Sequence, residues 1–221
     1  MQHQASSFLW GEALAERVLV STFGFDEAKV LSALRLIPYE RLAVLAGGKS
    51  LKEAGLRRLQ SAERAAGGSL EVVEVDPFDF RSCFQGALGL IQKHRRAGRE
   101  VRVNVSGGTK VLADAALLAA FQEGVEAYHC EDRPVRLPVL RGVSFTDRLN
   151  PAERAVLGCL DRPRPVRKIV ERLASDGHAE RAVQAAISRL RDQGILSISL
   201  LRGAAIVAVV PAASWFVRGL R

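Results

Sequence analysis

The chain has 221 residues, with 32 Lys and Arg against 24 Asp and Glu, a formal charge of +8 and 48% hydrophobic residues. That length supports one large or two modest domains, and a charged fraction of 25% sets aside disordered and low-complexity classes. No uninterrupted apolar run of about 18 residues occurs, so no transmembrane helix is expected, and the opening MQHQASSFLWGEALA lacks the basic start and apolar core of a signal peptide.

In chain order, short apolar runs at 17–20, 41–46, 70–75, 101–105 and 125–130 predict strands buried on both faces. Between them, residues 26–36, 51–65, 80–97 and 109–122 carry the helical period. Gly67-Gly68, Gly98 and Gly124 stand just past three of the helix ends. Strand–helix repetition of this kind gives an α/β fold, a parallel sheet with helices on both faces. Residues 135–140 add a short edge strand, and the basic stretch 93–99 reads as a solvated helix end.

From Asn150 the pattern changes. Asn150-Pro151-Ala152-Glu153 supplies an N-cap, a proline at the first helical position and a glutamate at the third. Three helices are predicted, to about residue 160 and then over 166–174 and 180–193. Two strands follow at 195–201 and 204–210, joined by Arg202-Gly203. Three helices and a tight hairpin in this order make a winged helix-turn-helix. Residues 150–221 hold 12 Lys and Arg and 6 Asp and Glu, a surplus of 6; residues 1–149 hold the remaining 20 and 18, a surplus of 2. The basic C-terminal third suits a polyanion such as DNA. Cys83, Cys130 and Cys159 are odd in number and far apart, and the four histidines are scattered. Neither a disulfide framework nor a metal site is expected, which fits a reduced, cytoplasmic setting.

In a doubly wound sheet, ligands sit beyond the carboxyl ends of the strands where the strand order reverses, usually between the first and fourth strands. Two loops should meet there: Ser21-Thr22-Phe23-Gly24-Phe25-Asp26 and Ser106-Gly107-Gly108-Thr109-Lys110. The glycines allow close backbone approach, and the free N–H groups of the first helical turn can take a phosphate. Thr109 offers a hydroxyl and Lys110 a mobile charge. The same residues also read as a tight strand-to-helix turn with Thr109 as a plain cap. The order Gly-Gly-Thr-Lys is not the phosphate loop of ATPases, and no G-x-G-x-x-G follows the first strand. ATP hydrolysis and standard nicotinamide chemistry are therefore disfavoured.

The stretches VLVSTFGFDEAKVLSAL and VRVNVSGGTKVLADAALLAAFQEGVEAYH, followed by a winged helix, resemble the CARF (CRISPR-associated Rossmann fold) transcriptional regulators. The resemblance covers nearly the whole chain in architecture, while its specific motifs are these two loops. It implies a Rossmann-like domain, a homodimer that brings both copies of the loops around a twofold axis, and a pocket for cyclic oligoadenylate, most often cyclic tetra-adenylate. Thr22, Phe23 and Gly24 match the first motif, and Ser106, Gly107, Gly108, Thr109 and Lys110 the second, with Asn104 in the same pattern. The residues ahead of the first strand depart from the family and have no assigned role. Some relatives cleave their ligand. Ser21 or Thr22 and Lys110 would be the candidates here, with no histidine or carboxylate pair beside them except Asp26, so sensing is preferred to turnover.

The third C-terminal helix should enter the major groove. Val183, Ala186, Ile187 and Leu190 share its inward face, and Arg181, Gln184, Ala185 and Ser188 the opposite one. Arginine pairs with guanine, glutamine with adenine, and alanine with the thymine methyl. Arg189 on the flank, Arg202 at the wing tip, and Arg167 and Lys168 opening the second helix suit the DNA backbone. Arg172 and His178 fit the arginine–histidine spacing of a ribonuclease domain carried by other CARF proteins, but that domain is all-helical and strands follow here. The expectation is thus a CARF domain over 1–148 and a winged helix-turn-helix over 149–221. Together they would form a homodimeric transcription regulator, not an enzyme, that binds cyclic oligoadenylate and double-stranded DNA and uses no metal, cofactor or membrane. A linker at 141–149 would couple the two. The alternatives are a ring nuclease or a ribonuclease activated by cyclic oligoadenylate.

Overall fold

A computed structural model describes residues 15–140, 145–214 and 217. Six strands form one sheet: β1 (Arg17–Phe23), β2 (Arg41–Gly47), β3 (Leu70–Val75), β4 (Glu100–Asn104), β5 (Glu126–Cys130) and β6 (Pro134–Arg136). Their order is β3-β2-β1-β4-β5-β6. The first five pair in parallel, and β6 runs antiparallel on β5. Between the parallel strands lie α1 (Ala28–Leu36), α2 (Ala54–Ala65), α3 (Phe80–Arg96) and α4 (Lys110–Glu123).

Alternation along the central strand builds three layers. Val18 and Val20 join a core with Phe84, Ile91, Leu112 and Ala116, while Leu19 joins Val30, Ala33 and Leu56 on the opposite face. The strands are apolar on both sides because helices cover both. Each fully buried valine or leucine contributes roughly 1.5–3 kcal/mol. Helix α4 turns Ala115, Ala116, Ala119 and Ala120 inward, all buried, and these small side chains seat it against α3 and the sheet.

Several boundaries differ from the sequence expectation; the helix expected over 51–65, for one, starts at Ala54. Ser21, Thr22 and Phe23 belong to β1 and not to the loop after it, because their backbone pairs in register with Val44, Leu45 and Ala46 of β2. Helix α1 starts at Ala28, since the Asp26 carboxylate accepts the Ala28 amide at 2.9 Å. The edge strand expected over 135–140 is shorter: Pro134–Arg136 pair with β5, and beyond them the Leu137 amide donates to the Ala127 carbonyl at 2.8 Å.

The C-terminal unit contains α5 (Pro151–Gly158), β7 (Arg164–Pro165), α6 (Val166–Ser175), α7 (Glu180–Asp192), β8 (Leu196–Leu201) and β9 (Ala204–Val209). The capping signal at its start is realised: Asn150 Oδ1 accepts from the Glu153 amide at 2.9 Å, and Glu153 Oε2 accepts from the Asn150 amide at 2.8 Å. Val156, Leu157, Ile169, Leu173, Ile187 and Val207 share a separate core. The strands form an antiparallel sheet of order β7-β9-β8. Arg202 and Gly203 turn the hairpin with φ of 50° and 79°, the left-handed pair that a two-residue turn of twisted strands requires. Strand β7 is too short to show in the sequence pattern. Residues 1–14 and the first part of the expected linker, 141–144, lie outside the described residues. Among the described residues, no helix is long and apolar enough to cross a membrane.

Candidate functional site

The strand order reverses between β1 and β4, which are neighbours although α1, β2, α2, β3 and α3 separate them in sequence. A cleft of about 1060 Å³ opens beyond the carboxyl ends of β1 to β4. It is lined by both loops expected from the sequence, through Phe23, Gly24 and Phe25 on one side and Ser106 to Thr109 on the other.

The two loops are interlocked through glycine. A Cβ on Gly24 would lie 2.9 Å from the Gly108 Cα, and a Cβ on Gly107 would lie 2.5 Å from the Thr22 carbonyl oxygen. Gly108 has φ of 81°, a conformation L side chains rarely adopt. Side chains could not enter without driving the loops apart. Thr109 caps α4, accepting from the Leu112 amide at 3.1 Å and donating to the Pro77 carbonyl at 2.5 Å. The helix thus presents its positive end at the cleft wall.

Beneath the loops lies a buried polar layer. Asn104 donates from Nδ2 to Ser21 Oγ at 2.8 Å and to the Lys29 carbonyl at 3.3 Å. Its Oδ1 accepts from the Ser106 hydroxyl at 2.5 Å, and Ser106 Oγ accepts in turn from the Cys130 amide at 2.6 Å. Thr22 Oγ1 accepts from the Gly107 amide at 3.2 Å. Ser21, Thr22 and Asn104 are fully buried and do not line the cleft. The structure makes them supports of the loops, not surfaces for a ligand. The Phe23 ring is buried as well, so that residue meets the cleft with its backbone. Lys110 is also placed elsewhere: its side chain is 86% exposed, pairs with Asp114 at 2.7 Å and is not part of the lining.

Half of the cleft was missed by the sequence reading. Gly47-Gly48-Lys49-Ser50 at the end of β2 and the segment from Glu74 to Phe78 at the end of β3 complete the wall. The signal was present, since Gly-Gly-Lys-Ser follows an apolar strand just as Ser-Gly-Gly-Thr does. Of the lining cations, Lys29 is bound to Glu131, which raises the lysine and lowers the carboxyl from their usual pKa ranges. Among the described residues, neither histidine nor cysteine lines the cleft. Burial pushes the Cys83 thiol up to about 11 and raises Cys130 also, so neither is a ready nucleophile. Among the described residues, no cluster of three or more His, Cys, Asp or Glu could hold a metal ion.

On the C-terminal unit, Val183, Ala186, Ile187 and Leu190 face inward, and Arg181, Gln184 and Ser188 are exposed on the opposite face of α7. Arg202 at the hairpin tip, Arg167 and Lys168 are exposed too, though Arg167 pairs with Glu171 at 2.6 Å. Arg189 is committed to structure: its Nε donates at 2.9 Å to the buried Glu153 of the capping box. Arg172 lies on α6 and His178 in the turn after it.

A family model described as HFX_2341_N:-like, N-terminal, matches residues 17–133, more than half of the chain. The chain belongs to this family. The HFX_2341_N-like region is the six-stranded domain up to the turn before β6, and the C-terminal unit lies outside it. No curated protein matches the chain. Among solved structures, Can2 from Sulfobacillus thermosulfidooxidans in complex with cyclic tetra-adenylate overlaps 85% of this chain and 55% of its own, with 16% identity and a TM-score of 0.49. VC1899 from Vibrio cholerae overlaps 92% of this chain and 64% of its own, with 12% identity and a TM-score of 0.47. Csm6 from Enterococcus italicus, bound to cyclic hexa-2′-fluoro-hexa-dAMP, overlaps 80% and 54%, with 11% identity and a TM-score of 0.44. The chain therefore spans less than two thirds of the length of each.

Proposed function

We propose that the chain is a ligand-responsive transcription regulator, in which a CARF domain over 1–148 binds cyclic oligoadenylate, cyclic tetra-adenylate foremost. A winged helix-turn-helix over 149–221 binds double-stranded DNA. The observation that carries the first half is the interlock of Gly24 with Gly108 at the strand-order reversal, which opens a cleft whose rim is glycine backbone and a helix N-terminus. A cyclic phosphodiester has the twofold symmetry of a dimer that pairs two such clefts, so a homodimer is the assembly that fits it. The second half is supported by the order α5, β7, α6, α7, β8, β9 and by the polar outer face of α7 with Arg181, Gln184 and Ser188. The β7-β9-β8 sheet speaks against an all-helical ribonuclease built on Arg172 and His178.

Titration with cyclic tetra-adenylate and cyclic hexa-adenylate, followed by chromatography of the ligand, tests the reading. One intact ring bound per dimer is the expected result. A shortened linear product would make the chain a ring nuclease, and binding of neither ring would overturn the CARF reading. A regulator also shifts its DNA affinity when the ring is added, since only a ligand that prefers one conformation moves an equilibrium.

A further inference from the structure

We infer that the loops after β2 and β3 form a nucleotide subsite, with Phe78 as the platform for a base and Lys49 as the partner of a phosphate. The inference rests on the cyclic oligoadenylate reading and adds to it the half of the cleft that neither loop motif reaches.

Phe78 is 79% exposed, an unusual position for a phenylalanine, and lines the cleft. Its backbone is held: the Phe78 amide donates to Asp76 Oδ1 at 3.0 Å, and the Asp76 amide donates to Ser82 Oγ at 2.9 Å. A fixed backbone presenting a bare aromatic ring is what stacking on a nucleobase needs, because little ordering remains to be done on binding.

Lys49 supplies the charge. The lysine ion pairs among the described residues are Lys29–Glu131, Lys93–Glu71 and Lys110–Asp114, and Lys49 makes none. It stands in the cleft lining directly after Gly47 and Gly48. Those glycines bind its loop to the next one: a Cβ on Gly47 would lie 2.7 Å from Pro77 Cγ, and a Cβ on Gly48 would lie 2.7 Å from Glu74 Oε1. Phe78, Lys49 and the Glu74 carboxylate thus sit on one joined wall. That carboxylate can only accept hydrogen bonds when ionised, which suits the amino group of adenine or a ribose hydroxyl and repels phosphate. The lining carries Asp26, Glu74 and Asp76 against Lys29 and Lys49, so the cleft is not a general anion trap. The phosphates belong at Lys49 and the glycine rims, and the bases at Phe78.

Calorimetric titration with cyclic tetra-adenylate at two salt concentrations tests this, with wild type, Phe78→Ala, Phe78→Trp and Lys49→Gln. Phe78→Ala should weaken binding by at least about tenfold with its thermal midpoint and the salt dependence unchanged. Phe78→Trp should retain affinity, and the added indole emission should change on titration. Lys49→Gln should weaken binding and make it less dependent on salt, as loss of one cation–phosphate contact requires. Wild-type binding with Phe78→Ala within twofold of it would overturn the subsite and leave the sensor standing. Loss accompanied by a lowered thermal midpoint or by dissociation of a dimer would also overturn it, by making Phe78 a structural residue. A wild-type protein that binds neither cyclic tetra-adenylate here nor cyclic hexa-adenylate in a parallel titration would overturn the sensor itself.

Discussion

The Asn104 amide donates to the Ser21 hydroxyl at 2.8 Å across two adjacent strands, although 83 residues separate them in sequence, and both side chains are fully buried. Removing Asn104 takes hydrogen bonds from the buried Ser21 and Ser106 hydroxyls, which costs about 1–3 kcal/mol. Asn104→Ala should therefore lower the unfolding free energy by that amount, read as a lower urea midpoint at unchanged m. Ser106 loses the same acceptor, so ligand affinity should fall as its loop loosens. An unchanged unfolding curve would remove Asn104 from the support of the site.

Two glycines of α3 should answer oppositely to the same substitution. A Cβ on Gly86 would lie 2.6 Å from Val75 Cγ1 and 3.2 Å from Leu45 Cδ2, so Gly86→Ala overpacks the sheet contact and should cost about 1–3 kcal/mol. Nothing lies within 4 Å of a Cβ on Gly89, and Gly89→Ala should stabilise the helix by about 0.5–1 kcal/mol. Differential scanning calorimetry of the pair checks both signs.

His94 gives the domain a pH dependence. It is buried on α3, with Nδ1 3.2 Å from Arg99 Nη1 and Nε2 3.3 Å from Glu71 Oε2. A guanidinium facing Nδ1 makes that atom the acceptor, so the ring is held neutral. Burial keeps its pKa below the ordinary 6.5, against the pull of Glu71. The unfolded chain then binds the proton more readily than the fold. This contribution is complete above about pH 6.5 and is lost as pH falls through 6.5 toward the lower folded value. Urea midpoints should drop between about pH 7 and pH 5.5, and His94→Leu should flatten that drop.

Arg189 and Arg181 share a helix and should part in their effects. Arg189→Ala removes the cation from the buried Glu153 and should cost about 1–2 kcal/mol of stability, the half-exposed arginine side chain tempering the loss. Arg181 is exposed on the outer face, so Arg181→Ala should leave the melt unchanged while weakening DNA binding. Filter binding and a thermal melt on each variant separate the two roles.

Most of the element order was legible because the strands are buried on both faces, so each stands out as an apolar run between helical periods. The capping residues at Asn150 and Glu153 marked the C-terminal unit equally well. What stayed hidden depended on partners far away in sequence. Ser21, Thr22 and Asn104 look like ligand contacts at the end of a strand, and only the neighbouring strand reveals that their polar atoms are spent on one another. Lys110 follows two glycines as a phosphate lysine would, yet it opens α4 on a side where Asp114 lies one turn ahead. The β2 loop lies away from the β1–β4 reversal that marks a ligand site in such sheets, and only the fold shows the cleft extending across β2 and β3 as well.

Helix α4 starts on the cleft and packs through four buried alanines into α3 and the sheet. Fourteen residues at about 1.5 Å each make a rod of roughly 21 Å. At its far end Glu123 holds Arg95 at 2.8 Å and Gln92 at 2.9 Å. The glycine rim at Gly108 and the Glu123–Arg95 cluster thus lie at opposite ends of one packed helix, so that cluster fixes the far end of the element whose start forms the cleft wall.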